Sequence, residues 1–355
     1  MADTLQRGSS RRLRLPGYPF AKEHYWLPKQ SIPTLSKTSL HPLVHRNTSD
    51  LSTQRFTTIM TGQEPYLADH HVQGKKMLPG SVYLEMARAA LEQGIDREIA
   101  STLEEGTTSI YLQEHIWMEP LVVDDEQVEV HIALISKEDG LVEYDIYSGS
   151  DYFDDQTAIT HAQGMMKVSE LKHPKRENLE KIKSQYPWNI LSSEQIYPSF
   201  RAAGLNYGPS HRGIECLYLH KNQTIAKLAV PPESIGSECY LNPGLLDAVF
   251  QATAGFTIVL KAPLDRLPFR LKAIFIYQPC PNQVWVHIQR NENDQLFDID
   301  VYDEDGMVCV RILGFETRQT AGLMAQEAFY RQLSERIWKG ELSEEDVEKI
   351  LMTSR

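Results

Sequence analysis

Two stretches of the chain open alike: PGSVYLEM at residues 79–86 and PGLLDAVF at residues 243–250. The first continues as PGSVYLEMARAALEQG and predicts a helix over 79–94. Proline stands where its missing N–H costs nothing, and glycine stands where helices stop. The N-cap position is then Leu78, which has no side-chain acceptor, so the first backbone N–H groups lack a local cap. The second stretch predicts an apolar helix over about 242–260. Around each lie segments rich in Val, Ile, Thr and Tyr with partial alternation, the pattern of strands. In the first half these are 55–60, 109–123, 127–136, 142–147 and 158–168; in the second, 214–220, 223–230, 267–277, 283–290 and 296–315. Each half is thus a set of long strands plus one helix that must be buried, and a sheet wrapped round the helix would bury it. The expected fold is α+β and duplicated.

Working outward, residues 1–40 read as an upstream linker. Pro16, Pro19, Pro28 and Pro33 punctuate them, and Tyr18, Phe20, Tyr25 and Trp26 are interleaved without a period. The first unit spans 41–170, a Lys/Arg/Glu-rich linker 171–189, the second unit 190–320, and a charged helical tail 321–355.

The chain has 355 residues, 41% hydrophobic and 24% charged, ordinary values for a well-packed globular protein. Its 36 Lys and Arg against 48 Asp and Glu leave a net charge of −12, which argues against nucleic acid as a partner. No stretch of 18 apolar residues suggests a membrane span. The cysteines, Cys216, Cys239, Cys280 and Cys309, form no CxxC pair, so neither structural zinc nor a disulfide framework is expected. No signal peptide is evident, and a cytoplasmic location is the expectation.

Three places could do chemistry. In DHHVQGKKMLPGSVYLEMA (69–87), His70, Gly74 and Pro79 fit H-x-x-x-G-x-x-x-x-P. A histidine beside an uncapped helix start, with Gly80 allowing close approach, suits a carbonyl that gains negative charge while the histidine removes a proton. Asp247 and Gln251, four residues apart, share a face of the second helix. Burial raises a carboxyl pKa and favours the protonated form a general acid needs, while the helix N-terminus favours the anion. Desolvation and the Gln251 amide are expected to set the outcome. Tyr207, in GLNYGPSHRG (204–213), could offer its phenol to a substrate hydroxyl. No GxSxG elbow, phosphate loop or GxGxxG is present.

The His70–Pro79 motif, the YGP turn at 207–209, Leu267-Pro268 and the Asp247/Gln251 pair resemble the dehydratase domain of a modular polyketide synthase. His41-Pro42-Leu43 resembles that domain's start, and PGYPFAKEHYWLP (16–28) the connector before it. The likeness covers roughly residues 16–318. It implies a double hotdog, two antiparallel sheets each wrapped around a central helix, and a homodimer.

The resemblance also implies a reaction. A 3-hydroxyacyl thioester, carried on the phosphopantetheine arm of an acyl carrier protein, loses water to give a 2-enoyl thioester. His70 takes the α-proton, Gly80 steadies the enolate-like oxygen, and Asp247 protonates the leaving hydroxyl. Gln251 orients Asp247, and Tyr207 bonds near the hydroxyl. Neither metal nor redox cofactor is needed. The implied partners are the carrier protein and the neighbouring ketosynthase and ketoreductase domains of the same synthase. The family often closes its YGPxF turn with phenylalanine; His211 stands there instead and is expected to reshape the tunnel entrance. Lys75, Lys76, Arg212, Arg270 and Lys272 are candidate cations for an acidic carrier. Rival readings on the same fold are a double-bond-shifting enoyl isomerase, a pyran-forming cyclase and a non-catalytic carrier-binding scaffold. Pro79 and Gln251, both present, favour dehydration over isomerisation.

Overall fold

The first Pro-Gly stretch folds as a helix, Gly80–Gly94 (α1), in a computed structural model. The structure describes residues 39–319 except 52, 96, 105–107, 125, 150–157, 171–172, 185–188, 232, 235–238 and 292–295. The expected charged tail, and all but the last two residues of the upstream linker, lie outside the described residues. Pro79 is the N-cap in place of Leu78, because its backbone is extended (ψ 144°) and helical angles begin only at Gly80. The consequence is unchanged, since no side chain caps this helix. Every residue from Ser81 to Leu91 is buried, so the helix is covered on all sides.

The second stretch forms Pro243–Ala252 (α2), entirely buried, with Asn242 Oδ1 accepting the Leu245 N–H at 3.0 Å. The single helix expected over 242–260 is instead two. At Thr253 the hydroxyl bonds the Phe250 carbonyl at 2.6 Å, and a separate turn, Gly255–Val259, follows. The strand expected over 296–315 also divides, into Phe297–Tyr302 and Val308–Gln319. Between them Asp303 Oδ1 accepts the N–H groups of Asp305 and Met307, and Gly306 takes φ +83°.

Two half-sheets pack on these helices, and they are continuous. Among the described residues one 13-stranded antiparallel sheet contains both. In the first half the core order is Gln54–Met60, Val128–Ser136, Val142–Ser148, Ile159–Ser169, Ser109–Trp117. In the second it is Arg266–Ile276, Val308–Gln319, Phe297–Tyr302, Gln283–Arg290, Gln223–Ala229, with Ile214–His220 and Asn189–Ser192 beyond. In each half, the strand just after the central helix lies at the join and the strand before it lies four places away. The second order is the mirror of the first. A duplicated unit closed by a pseudo-twofold axis gives this order, with Ser109–Trp117 and Arg266–Ile276 pairing across the axis (Leu112 opposite Ile274). The architecture is a double hotdog.

A three-stranded sheet ties the halves a second time. His70–Val72 pairs with Lys75–Lys76 on one side and with Leu205–Tyr207 on the other. A third tie is ionic. Glu85 on α1 is fully buried, accepts from Arg88 Nε and Nη2 at 2.9 and 3.1 Å, and accepts the Tyr240 and Leu241 N–H groups at 2.9 Å each. Burial works against its charge, but Arg88 and His41 hold its pKa below the usual value. One carboxylate of the first half thus anchors the loop leading into α2. Among the described residues no helix is long and apolar enough to cross a membrane, and all four cysteines are free.

Glu85→Ala would leave the buried Arg88 guanidinium with Glu92 as its remaining acidic partner and strip two N–H groups of their acceptor. The expected loss of folding stability is about 3–5 kcal/mol, read from the urea midpoint. Glu85→Gln, which keeps the shape and one acceptor, should lose less. Equal midpoints for wild type and Glu85→Ala would contradict this anchoring role.

Candidate active site

His70 and Tyr207 come together because their strands do: they are direct partners in the three-stranded sheet, with ring centroids 5.4 Å apart. The hairpin before α1 sets the imidazole. Gln73 (φ 52°) and Gly74 (φ +81°) make a two-residue turn whose positive φ values suit glycine. Met77 N–H bonds the His70 carbonyl at 3.1 Å, and His70 Nδ1 lies 2.7 Å from the Met77 carbonyl. A carbonyl only accepts, so Nδ1 carries the proton and Nε2 keeps its lone pair. Burial lowers the His70 pKa to about 4, past the raising effect of Asp247, so the ring is a neutral base at neutral pH.

Asp247, one turn into α2, is 5% exposed. Its Oδ2 accepts Gln251 Nε2–H at 2.7 Å and lies 3.0 Å from His211 Nδ1. The second Gln251 N–H reaches the His211 carbonyl at 3.0 Å, which fixes the amide orientation and leaves Gln251 Oε1 a buried acceptor with no partner among the described residues. Burial pushes the carboxyl up, but the hydrogen bond and charge of His211, helped by His70 and Gln251, hold it below its ordinary value. The expected balance, set by desolvation and Gln251, is therefore overturned by a residue assigned elsewhere. His211 does not sit at a tunnel entrance. It is fully buried, 5.1 Å from His70 between ring centroids, with Nδ1 against Asp247 Oδ2 and Nε2 against the Tyr66 carbonyl.

His70, Tyr207, Asp247, Gln251 and Gly80 line one cavity of about 170 Å³, room for a short acyl chain rather than one water. Its apolar wall includes Leu78, Trp117, Phe250, Phe297 and Phe315. Gly80 stands against Trp117, whose Nε1 donates to the Gly80 carbonyl at 3.1 Å; a Cβ on Gly80 would come within 3.2 Å of the indole. Its N–H has no carbonyl inside the helix to reach. Tyr207 is half-buried, and burial holds its phenol well above the usual range, neutral and able to donate. Gly74 and Pro79 lie outside the cavity wall and act on the backbone that aims His70 and α1.

None of the cations expected to meet an acidic carrier lines this cavity. Lys75 and Lys272 are exposed, Lys76 Nζ bonds the Gly62 carbonyl, Arg212 Nε bonds the Tyr207 carbonyl at 2.8 Å, and Arg270 pairs with Glu316 at 2.6 Å. Arg266, Arg290 and Arg318 line it instead. Elsewhere, His41, Glu85 and Cys239 bring metal-type donors within 4.8 Å of one another, but the Glu85 oxygens already accept four hydrogen bonds, so the group serves the fold.

Two family models match the chain: "Polyketide synthase dehydratase domain" over residues 41–149 and "Polyketide synthase dehydratase N-terminal domain" over residues 174–327. The chain is 37% identical to polyketide synthase PksM of Bacillus subtilis (strain 168) over 328 residues, covering 88% of this chain and 8% of that protein. It is 35% identical to PksN of the same organism, covering 87% and 6%. It therefore spans less than a tenth of these relatives. Among solved structures it is similar to a trans-AT PKS dehydratase domain from Brevibacillus brevis (35% identity, TM-score 0.72, covering 79% of this chain and 99% of that one). It is also similar to the dehydratase domain of RzxB from Pseudomonas fluorescens (25% identity, TM-score 0.68, covering 79% and 99%).

The geometry fixes how His70 titrates. Ring 15N shifts should place its proton on Nδ1 at neutral pH and follow a midpoint near pH 4. A midpoint near 6.5, the free-histidine value, would contradict the buried, Met77-bonded ring.

Proposed function

The chain belongs to the polyketide synthase dehydratase family, whose members are hydro-lyases, and from that membership we propose that it removes water from a 3-hydroxyacyl thioester using His70 and Asp247. The observation that carries the reading is a base and a carboxyl, one from each half, on the wall of one apolar cavity. His70 Nε2 takes the α-proton. The electron pair moves toward the thioester carbonyl, whose oxygen meets the Gly80 N–H at the uncapped start of α1. That pair then forms the new double bond as the β C–O bond breaks. The departing oxygen takes a proton delivered through Asp247 and leaves as water. Gln251 holds Asp247 in place, and its orphan Oε1 fits a substrate hydroxyl, as does the Tyr207 phenol.

In this reading the substrate arrives on the phosphopantetheine arm of an acyl carrier protein, and no metal or redox group takes part. Arg266 and Arg318, on adjoining strands at the cavity wall, suit the arm's phosphate. The chain's small share of its relatives' length fits a domain working beside other domains, for which ketosynthase and ketoreductase are the proposed neighbours, and a homodimer is proposed from the family resemblance alone.

A 3-hydroxyacyl pantetheine thioester should yield a 2-enoyl product, identified by mass and double-bond position. His70→Ala and Asp247→Asn should each lower kcat by about 10²–10⁴-fold, the usual worth of a positioned acid or base. Because His70 must be neutral, the acid limb of kcat/KM is expected near pH 4. Full turnover by either variant would remove the assignment. A migrated double bond from a supplied enoyl thioester, with no dehydration, would replace it with an isomerase.

A further inference from the structure

We propose that His211 is a positioning residue that stores the acid's proton: it stands as an imidazolium paired with the Asp247 carboxylate, and that shared proton is the one that leaves with the hydroxyl. The inference rests on Asp247 being the acid, as proposed above.

Hydrogen-bond accounting carries it. His211 Nε2 lies 3.1 Å from the Tyr66 backbone carbonyl, which can only accept, so Nε2 bears a proton. Nδ1 lies 3.0 Å from Asp247 Oδ2. If His211 were neutral, its Nδ1 lone pair would face Oδ2, and the pair would hold only with the carboxyl proton on Oδ2. That oxygen already takes the Gln251 N–H at 2.7 Å. Gln251 Nε2 and His211 Nδ1 converge on that one oxygen, an arrangement that suits an anionic acceptor, and we therefore place the proton on Nδ1. Oδ1 carries no hydrogen bond from the described residues and is left for a ligand. The net direction of the Asp247 titration, downward despite complete burial, agrees.

The surroundings do not supply a rival. His70, on the strand facing the ring, is neutral; Tyr207 at 6.4 Å and the Tyr66 phenol are neutral. Asp69 is engaged by the Ser210 N–H at 2.8 Å, and Arg212 turns away to the Tyr207 carbonyl and the Tyr197 ring. In the proposed step the His211 Nδ1 proton passes to Asp247 Oδ2, the C–O electron pair stays on the departing oxygen, and that oxygen takes the same single proton from the carboxyl so formed. The pair ends as neutral imidazole and carboxylate, one proton poorer, and His70 ends one proton richer.

Two measurements test it. In the 15N-histidine-labelled full chain at pH 7, both His211 nitrogens should show protonated shifts, and Asp247→Asn should return the ring to a single proton. A singly protonated His211 in the wild type overturns the proposal, whatever the chain's activity. In pH profiles of dehydration, His211→Phe and His211→Gln should lose about tenfold or more in kcat with KM nearly unchanged. Their alkaline limb should move, because the pair that holds the proton loses one of its two titrating members. An unmoved alkaline limb in both variants also overturns it. If the wild type itself does not dehydrate, the reading of the site fails, while the 15N result still decides the protonation of His211.

Discussion

The pairing of Ser109–Trp117 with Arg266–Ile276 is the constraint on which the site depends. Acid–base chemistry tolerates displacements of well under an ångström, and here its two partners are about 180 residues apart in separate hotdogs. The joining strands make the two half-sheets one sheet. They also bring Trp117, at the end of one strand, and Pro268, near the start of the other, against Gly80 at the tip of α1. Once that join exists, the two helices, α1 buried from Ser81 to Leu91 and α2 throughout, pack against each other. The Glu85 carboxylate and the His70–Tyr207 strand pair then remove the remaining freedom between halves.

Much of this was legible in the residues because it follows from local rules. Val, Ile, Thr and Tyr content with partial alternation located most of the long strands within a few residues, although the strand expected over 109–123 ends at Trp117 and that over 296–315 divides. Proline plus glycine bracketed α1. The parts that escaped depend on contacts distant in sequence. Three-residue strands such as Leu205–Tyr207 carry too little pattern to stand out, and nothing local says that one half-sheet will pair with the other. The helix Ser193–Ala202 was missed although its signal was present: Gln195 Oε1 accepts the Ser192 N–H at 3.0 Å, a reciprocal N-terminal cap that the sequence SSEQ spells out. Pro198 inside that segment argued the other way. His70, Asp247 and Gln251 were found from motif and spacing. The role of His211 was not, because an imidazole in a turn says nothing about which acceptors will surround it.

Burial does opposite work on the two reacting groups. For His70, desolvation is the dominant influence and produces a weak but always available base. For Asp247 the same desolvation is overcome by a buried neighbour, which turns an isolated carboxyl into half of a charge pair. A buried ion pair is not a source of stability in itself, since both desolvation costs must be met. Its retention in the wall of a reaction cavity is better understood through the proton it keeps available. The same cavity places three arginines around the ligand's path in a chain of net charge −12, so the local field there opposes the global one.

The duplicated halves have divided their labour, and the helix starts show how. With Pro79 aligned on Pro243, Gly80 matches Gly244, Tyr83 matches Asp247, and Ala87 matches Gln251. The acid and its orienting amide therefore exist in the second half alone, and Tyr83 lines the cavity at the equivalent place on α1. The start of α2 is satisfied by the Asn242 side chain, and Gly244 is packed so closely against the Ser210 carbonyl that no ligand could reach it. The start of α1 has no side-chain cap, and its glycine faces the cavity. Leaving a helix end unsatisfied costs stability, typically about 1 kcal/mol for a missing cap. That cost falls on an end where a bound carbonyl could complete the hydrogen bonds, beside His70, whose Nδ1 is engaged by the Met77 carbonyl and whose Nε2 is left for a ligand. Symmetry of the backbone with asymmetry of the caps is what confines the chemistry to a single site.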